Sequence, residues 1–193
     1  MENKYSIAPL IVALLLSTNL TAQKKKNIDS ERGYAFEGRS LVIQLSSGFF
    51  GDTYGYGKVS GTPLKLQVEY GAHRYVGLAL YGGMLHRDPQ FGEQSFQMDV
   101  YTGGLHVNVH LYNFIDDLTK NNLRGDIIDV YGTFTVGMDY FDTNLPFRNK
   151  YAYFLTGGLG VRAYPIKKAK DLGFNMEFSP ILSPWLIGLN YRF

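Results

Sequence analysis

The 193-residue chain has no cysteine. That excludes a disulfide framework, a thiolate metal site, a cysteine nucleophile and a lipid-modified N-terminal cysteine. An excess of one charge is also missing: 19 Lys and Arg stand against 17 Asp and Glu, a formal net charge of +2. Nothing in that balance selects a nucleic acid or an acidic partner, and the one basic cluster, Lys24-Lys25-Lys26, is too short to track phosphates. Beyond residue 23 there is no apolar run of the roughly 20 residues that a membrane-spanning helix needs. The mean hydropathy of −0.13 is likewise too polar for a helical membrane protein.

What the chain does have is glycine and aromatics. Gly 22, Tyr 15 and Phe 13 disfavour a helical bundle and suit strands bordered by aromatic rings. At the N-terminus, Lys4 precedes the apolar run Ile7–Leu16 and the small or polar stretch Ser17-Thr18-Asn19-Leu20-Thr21-Ala22-Gln23. Residues 1–23 therefore read as an export signal, cleaved near Ala22 or Gln23. The alternative, an anchor helix, needs about twice that apolar length. Residues 24–39 are polar and irregular, as expected of a short periplasmic lead-in. With no second apolar helix, a membrane location for the mature protein requires a closed barrel, because only helices and barrels satisfy their backbone polar groups in lipid.

From residue 40 onward the chain alternates with period two. Eight strands are predicted: 41–50, 63–70, 75–85, 96–112, 127–141, 151–164, 172–179 and 185–193. In the second, Leu64, Leu66, Val68 and Tyr70 alternate with Lys65, Gln67 and Glu69. In the fifth, Ile128, Val130, Phe134, Val136, Met138 and Tyr140 alternate with Asp129, Tyr131, Thr133, Thr135, Gly137 and Asp139. In the last, Trp185, Ile187, Leu189, Tyr191 and Phe193 alternate with Leu186, Gly188, Asn190 and Arg192. A soluble barrel would also alternate, but its polar face would be densely charged. Here that face is Gly, Thr, Asn and Ser with one or two charges per strand, which suits a narrow lumen filled by side chains and an apolar face turned to lipid. A Lys or Arg facing lipid at mid-depth costs about 2–4 kcal/mol. The one irregularity is Gln97 and Asp99, which precede Tyr101 on the apolar parity and are expected above the bilayer.

The expected fold is thus all-β, a closed antiparallel up-and-down transmembrane β-barrel occupying residues 40–193. An even strand count places both termini in the periplasm. Segments 51–62, 86–95, 142–150 and 180–184 would face outside, and 71–74, 113–126 and 165–171 the periplasm. The stretch 113–126 is long for such a turn. Its Phe114, Ile115 and Leu118 suggest a short amphipathic helical turn, and its length leaves ten strands open beside eight.

The closing residues Gly188-Leu189-Asn190-Tyr191-Arg192-Phe193 resemble the β-signal of Gram-negative outer-membrane proteins, a Gly and spaced aromatics ending in Phe, with Gly188, Tyr191 and Phe193 as the membrane-insertion signal. Together with Gly103-Gly104-Leu105 and Gly157-Gly158-Leu159, they make residues 40–193 similar to the small outer-membrane β-barrel family of the OmpA/OmpX type. Such signals usually carry a polar residue where this chain has Leu186. The resemblance implies outer-membrane lipid and the barrel-assembly machinery as partners, with no nucleic acid. It names no surface ligand.

The candidate site is the lumen. Lys65, Glu69, Asp129, Asp139, Arg162, Glu177 and Arg192 are its predicted charges, three positive and four negative, with His106 and His110 beside them on one strand. A narrow barrel must neutralise such groups in pairs, and Arg192 is expected to meet a lumen carboxylate. A salt-bridged, plugged lumen is the principal reading, and a proton or ion path through His106 and His110 the sharper one. Two histidines without a placed carboxylate are a weak metal site. His86 and Asp88, with Ser95 across the hairpin, are the only constellation resembling a lipid A-modifying barrel enzyme. No catalytic residue, cofactor or metal is expected. The function expected is non-enzymatic, structural or surface-interacting, with the tyrosines of the Tyr54-Gly55-Tyr56-Gly57 loop as an adhesive candidate and a narrow solute channel and a lipid A-modifying enzyme as alternatives.

Overall fold

The computed structural model describes residues 36–48, 58–59, 61–88, 90–91, 94–119, 127–143, 149–165 and 171–193. The expected export signal 1–23, most of the lead-in, the Gly51-Asp52 and Tyr54–Gly57 loop and Ile166-Lys167-Lys168 lie outside the described residues.

Eight strands run through the described chain: β1 Leu41–Gly48, β2 Leu64–His73, β3 Val76–Asp88, β4 Met98–His110, β5 Ile128–Thr143, β6 Tyr151–Ala163, β7 Leu172–Phe178 and β8 Trp185–Arg192. Each pairs antiparallel with its sequence neighbours, and β8 returns to β1, with Leu189 opposite Leu45 and Asn190 opposite Gln44. The sheet is therefore a closed eight-stranded up-and-down barrel, not ten-stranded. Closure removes the unpaired edges that would otherwise template aggregation. At the closing seam, a Cβ on Gly188 would collide with the backbone of Leu45 and Ser46, so glycine lets β1 and β8 approach. Both chain ends of the barrel lie at one rim. The connections β1–β2, β3–β4, β5–β6 and β7–β8 lie at the other, called here the loop end.

Three stretches differ from the sequence expectations. The fourth strand ends at His110, two residues early, and a helix, α1 (Leu111–Thr119), follows directly. Leu111, Phe114, Ile115 and Leu118 repeat at helical spacing, so the period changes from 2 to 3.6 at that point. The expected outer segment 86–95 is partly strand: β3 continues to Asp88, Lys58–Val59 pairs with its end, and Gln90–Phe91 pairs with Gln94–Ser95. The connection 180–184, expected outside, instead turns into the barrel, burying Ile181, Leu182 and Ser183. Two adjacent large apolar residues find partners there, because the inward positions at that end are apolar too.

Burial is inverted relative to a soluble barrel. Leu45, Leu66, Leu80, Leu105, Phe134, Leu155, Phe174 and Leu189 are exposed on the outer wall, while Lys65, Glu69, Arg87, Asp129, Arg162 and Glu177 are buried inside. No outward position of the eight strands between the aromatic rims is charged. Tyr101, Tyr140 and Tyr151 stand side by side at the loop end with Phe178 against Trp185, and Tyr191 packs against Phe193 at the opposite rim. These are the two aromatic girdles that border an apolar belt.

Candidate functional site

The alternation that turns apolar residues outward aims every second residue of each strand into the lumen. Eight of the nine predicted lumen residues are buried there: Lys65, Glu69, His106, His110, Asp129, Asp139, Arg162 and Glu177. The ninth, Arg192, lies at the rim. Its Nε is 3.6 Å from Asp171 and its guanidinium covers the Tyr164 ring. Position 192 is at the mouth of the barrel, and the exposed Asp171 is a carboxylate within reach there.

The half of the lumen toward the chain ends is a connected polar array. Arg162 on β6 pairs with Glu69 on β2 and reaches Asp129 on β5 at 3.6 Å. His110 on β4 places Nδ1 at 2.9 Å from Asp129 and Nε2 at 3.1 Å from Glu69. Two carboxylates thus hold one guanidinium and one imidazole, all four fully buried. Gln44 on β1 links this group to a second pair: Arg162 Nε donates to Gln44 Oε1, and Gln44 Nε2 donates to Glu177, each at 3.3 Å. Glu177 in turn binds Lys65 Nζ at 2.6 Å. The Tyr131 ring supports Arg162 at 4.4 Å, and it fits only because a Cβ on Gly160 would overlap that ring. Such pairs are needed because an ion left alone in this low-dielectric interior is strongly destabilising.

This polar array is floored from below. Phe36 is fully buried and stacks on the His110 ring at 3.3 Å between centroids. Its carbonyl accepts from Asn113 Nδ2 of α1 at 3.0 Å, while Arg39, in the left-handed region at φ 67°, donates its N–H to Gly71 O at 2.6 Å. The last residues of the polar lead-in are thus a stopper, which their composition did not announce.

The loop half has the opposite character. Tyr81, Leu85, Met98, Val100, Phe141, Ile181 and Leu182 form a buried apolar cluster, with Phe154 against it. The lumen is therefore not polar throughout, as expected from its average composition. His106 marks the boundary: its Nδ1 meets Thr135 at 2.5 Å and Thr133 at 3.2 Å, and its ring stacks on Tyr81. His106 and His110 both face inward, yet each is engaged by different partners, and no described cluster of three His, Asp or Glu can hold a metal. Arg87, buried at the loop end, is a lumen charge the alternation could have identified, since it shares the parity of Tyr81.

On the outer surface beyond Tyr101, His86 faces Asp99 across the β3–β4 pair and lies 3.6 Å from Asp88. The hydrogen bond to Asp99 holds the His86 pKa above its ordinary value, with further help from the charges of Asp99 and Asp88. Ser95 is paired in register with Gln90 in the hairpin beyond, and His86 with Asp99.

No protein-family model and no curated protein matches the chain. Among solved structures it is similar to Ail, the attachment invasion locus protein of Yersinia pestis, at 15% identity over 82% of this chain and 100% of that one, with TM-score 0.46. The same Yersinia pestis protein in a phospholipid bilayer nanodisc gives 14% identity, 81% and 100% coverage and TM-score 0.48. Outer Membrane Protein W of E. coli gives 15% identity, 81% and 99% coverage and TM-score 0.47. The likeness is one of general fold, and the barrel itself is established by the closed pairing of this chain's own strands.

Proposed function

We propose that the chain is an outer-membrane barrel with a closed lumen and a non-enzymatic, structural or surface-interacting role. The observation that carries this is the inverted burial: an uncharged apolar wall bounded by aromatic girdles, around buried ion pairs and a buried apolar cluster. A wall of that kind is stable only against lipid, since in water it would expose dozens of large apolar side chains. Within this reading, residues 1–23 are removed on export and both termini face the periplasm. Gly188, Tyr191 and Phe193 form the strand that the barrel-assembly machinery recognises. Outer-membrane lipid is the standing partner, and the connections at the loop end are the surface offered outside.

Planar-bilayer recording of the refolded protein tests the closed lumen. No unitary current is expected, because Phe36 stoppers one end and the Leu182 cluster the other. Stable unit steps would instead establish the narrow solute channel. Mass spectrometry of lipid A from cells with and without the protein tests the enzyme reading based on His86, Asp88 and Ser95. Unchanged acylation is expected.

A further inference from the structure

The helix α1 is inside out relative to a helix packed on a soluble domain. Leu111, Phe114, Ile115 and Leu118 follow the i, i+3, i+4, i+7 spacing of a single face, and all four are exposed, Leu118 to 68%. The side turned to the barrel is polar: Asn113 and Asp116 are buried. Asn113 Nδ2 donates to the carbonyl oxygens of Phe36 and Arg74, and Asp117 accepts from Arg74 and from the Tyr75 hydroxyl. Hydrogen bonds and an ion pair thus fix how the helix is rotated, and that rotation turns the apolar stripe away from the protein.

The position of the helix indicates what meets the stripe. It starts at the residue after β4 ends, so Leu111 continues the exposed row Leu105, Val107 and Val109 of the lipid-facing wall. Phe114 lies edge-on to Tyr75, 6.0 Å away at the same rim. The stripe is therefore an extension of the apolar belt past its border, along a helix about 14 Å long. We infer that α1 lies in the boundary between headgroups and acyl chains of the leaflet at the chain-end rim, with phospholipid as the partner of its apolar face. This rests on the membrane reading given above. The helix carries two aspartates and no Lys or Arg, so apolar contact rather than lipid charge holds it there, and a zwitterionic bilayer suffices.

Tryptophan fluorescence separates the two claims, because Trp185 is the only tryptophan and lies in the girdle at the other rim. The wild type reports the belt. Trp185→Phe combined with Phe114→Trp reports the helix, and Trp185→Phe with Leu118→Trp repeats it at its most exposed position, where folding is least disturbed. Each is refolded into phosphatidylcholine vesicles brominated either near the headgroup or near the chain end. Both helix reporters are expected to lose roughly half their emission to shallow bromines and less to deep ones, as suits a helix seated about 5–10 Å into the boundary. Helix reporters untouched by bromine, while Trp185 is quenched, would overturn the inference and leave the membrane reading standing. Iodide would then show whether water or a second protein covers the stripe. An unquenched Trp185 would overturn both.

Discussion

The two halves of the lumen solve the same filling problem by opposite chemistry. Toward the chain ends, Glu69, Asp129, His110, Arg162, Gln44, Glu177 and Lys65 fill the bore through directional pairs. Toward the loops, Leu85, Met98, Val100, Phe141, Ile181 and Leu182 fill it mainly by apolar contact, with Arg87 and Asp139 also buried in that half. Apolar packing tolerates changes that conserve volume. A buried ionic array tolerates replacement of a whole pair but not the loss of one member, because the survivor is left charged and dry. The polar half should therefore be the more brittle and the apolar half the more adaptable.

The sharpest way to break that contrast is Glu69→Leu, which removes one of the two carboxylates shared by Arg162 and His110 and leaves Asp129 alone to balance both cations. A loss of about 3–5 kcal/mol is expected, read as a lower urea midpoint of the refolded protein in vesicles. A change below about 1 kcal/mol would mean the array is not a coupled unit. Next, Leu182→Ala removes the centre of the apolar plug, at a cost of about 2–5 kcal/mol depending on how far the cavity collapses. Leu182→Met should lie within about 1.5 kcal/mol of wild type, and a Met variant as damaging as the Ala variant would contradict adaptable packing. Third, Lys65→Met alone should destabilise strongly, whereas Lys65→Met with Glu177→Met should recover to within about 1 kcal/mol of wild type or better. A double mutant as weak as the single one would show that Gln44 depends on Glu177 more than on the pair.

The smallest effect lies outside both halves. His86 is 39% exposed in its side chain, so its pair with Asp99 is screened and worth at most about 0.2–1 kcal/mol, less at high salt. The raised His86 value fixes the sign. The contribution is fully present below the unfolded imidazole value of about 6.5 and is lost as pH rises through the higher folded value. Asp99→Asn should therefore destabilise slightly at acidic pH and not at alkaline pH. NMR titration of the His86 ring should show a lower value in the variant. An unchanged titration would remove the interaction.

Much of this was legible in the residues. Period-two alternation located all eight strands and their inward parity, because a one-residue error in register would turn charges such as Lys65 and Arg162 into lipid. The same parity picked out Lys65, Glu69, His106, His110, Asp129, Asp139, Arg162 and Glu177, but Gln44 and Arg87, also buried in the lumen, lie outside that set. The apolar plug was not legible: Leu85, Val100 and Phe141 sit on the inward parity at strand ends where the outward neighbours include His86, Asp99 and Asp142, so the apolar/polar alternation reverses there. Ile181 and Leu182 lie in a connection with no period at all. Parity specifies a face but not a depth, so it does not set Arg192 at the mouth apart from residues deeper in the lumen.

The sequence alone determined where the strands lie, the face their alternating residues present and a short amphipathic helical turn after the fourth strand. These follow from local backbone geometry and the side-chain periods of 2 and 3.6 that it imposes. The closed pairing fixed the count at eight and the change from strand to helix at Leu111. The tertiary structure alone decided that Glu69 and Asp129 share Arg162 and His110, that the 180–184 connection folds inward, and that Phe36 closes the floor. Those contacts join residues far apart in the chain, and they are set by the space that closing the barrel leaves to be filled.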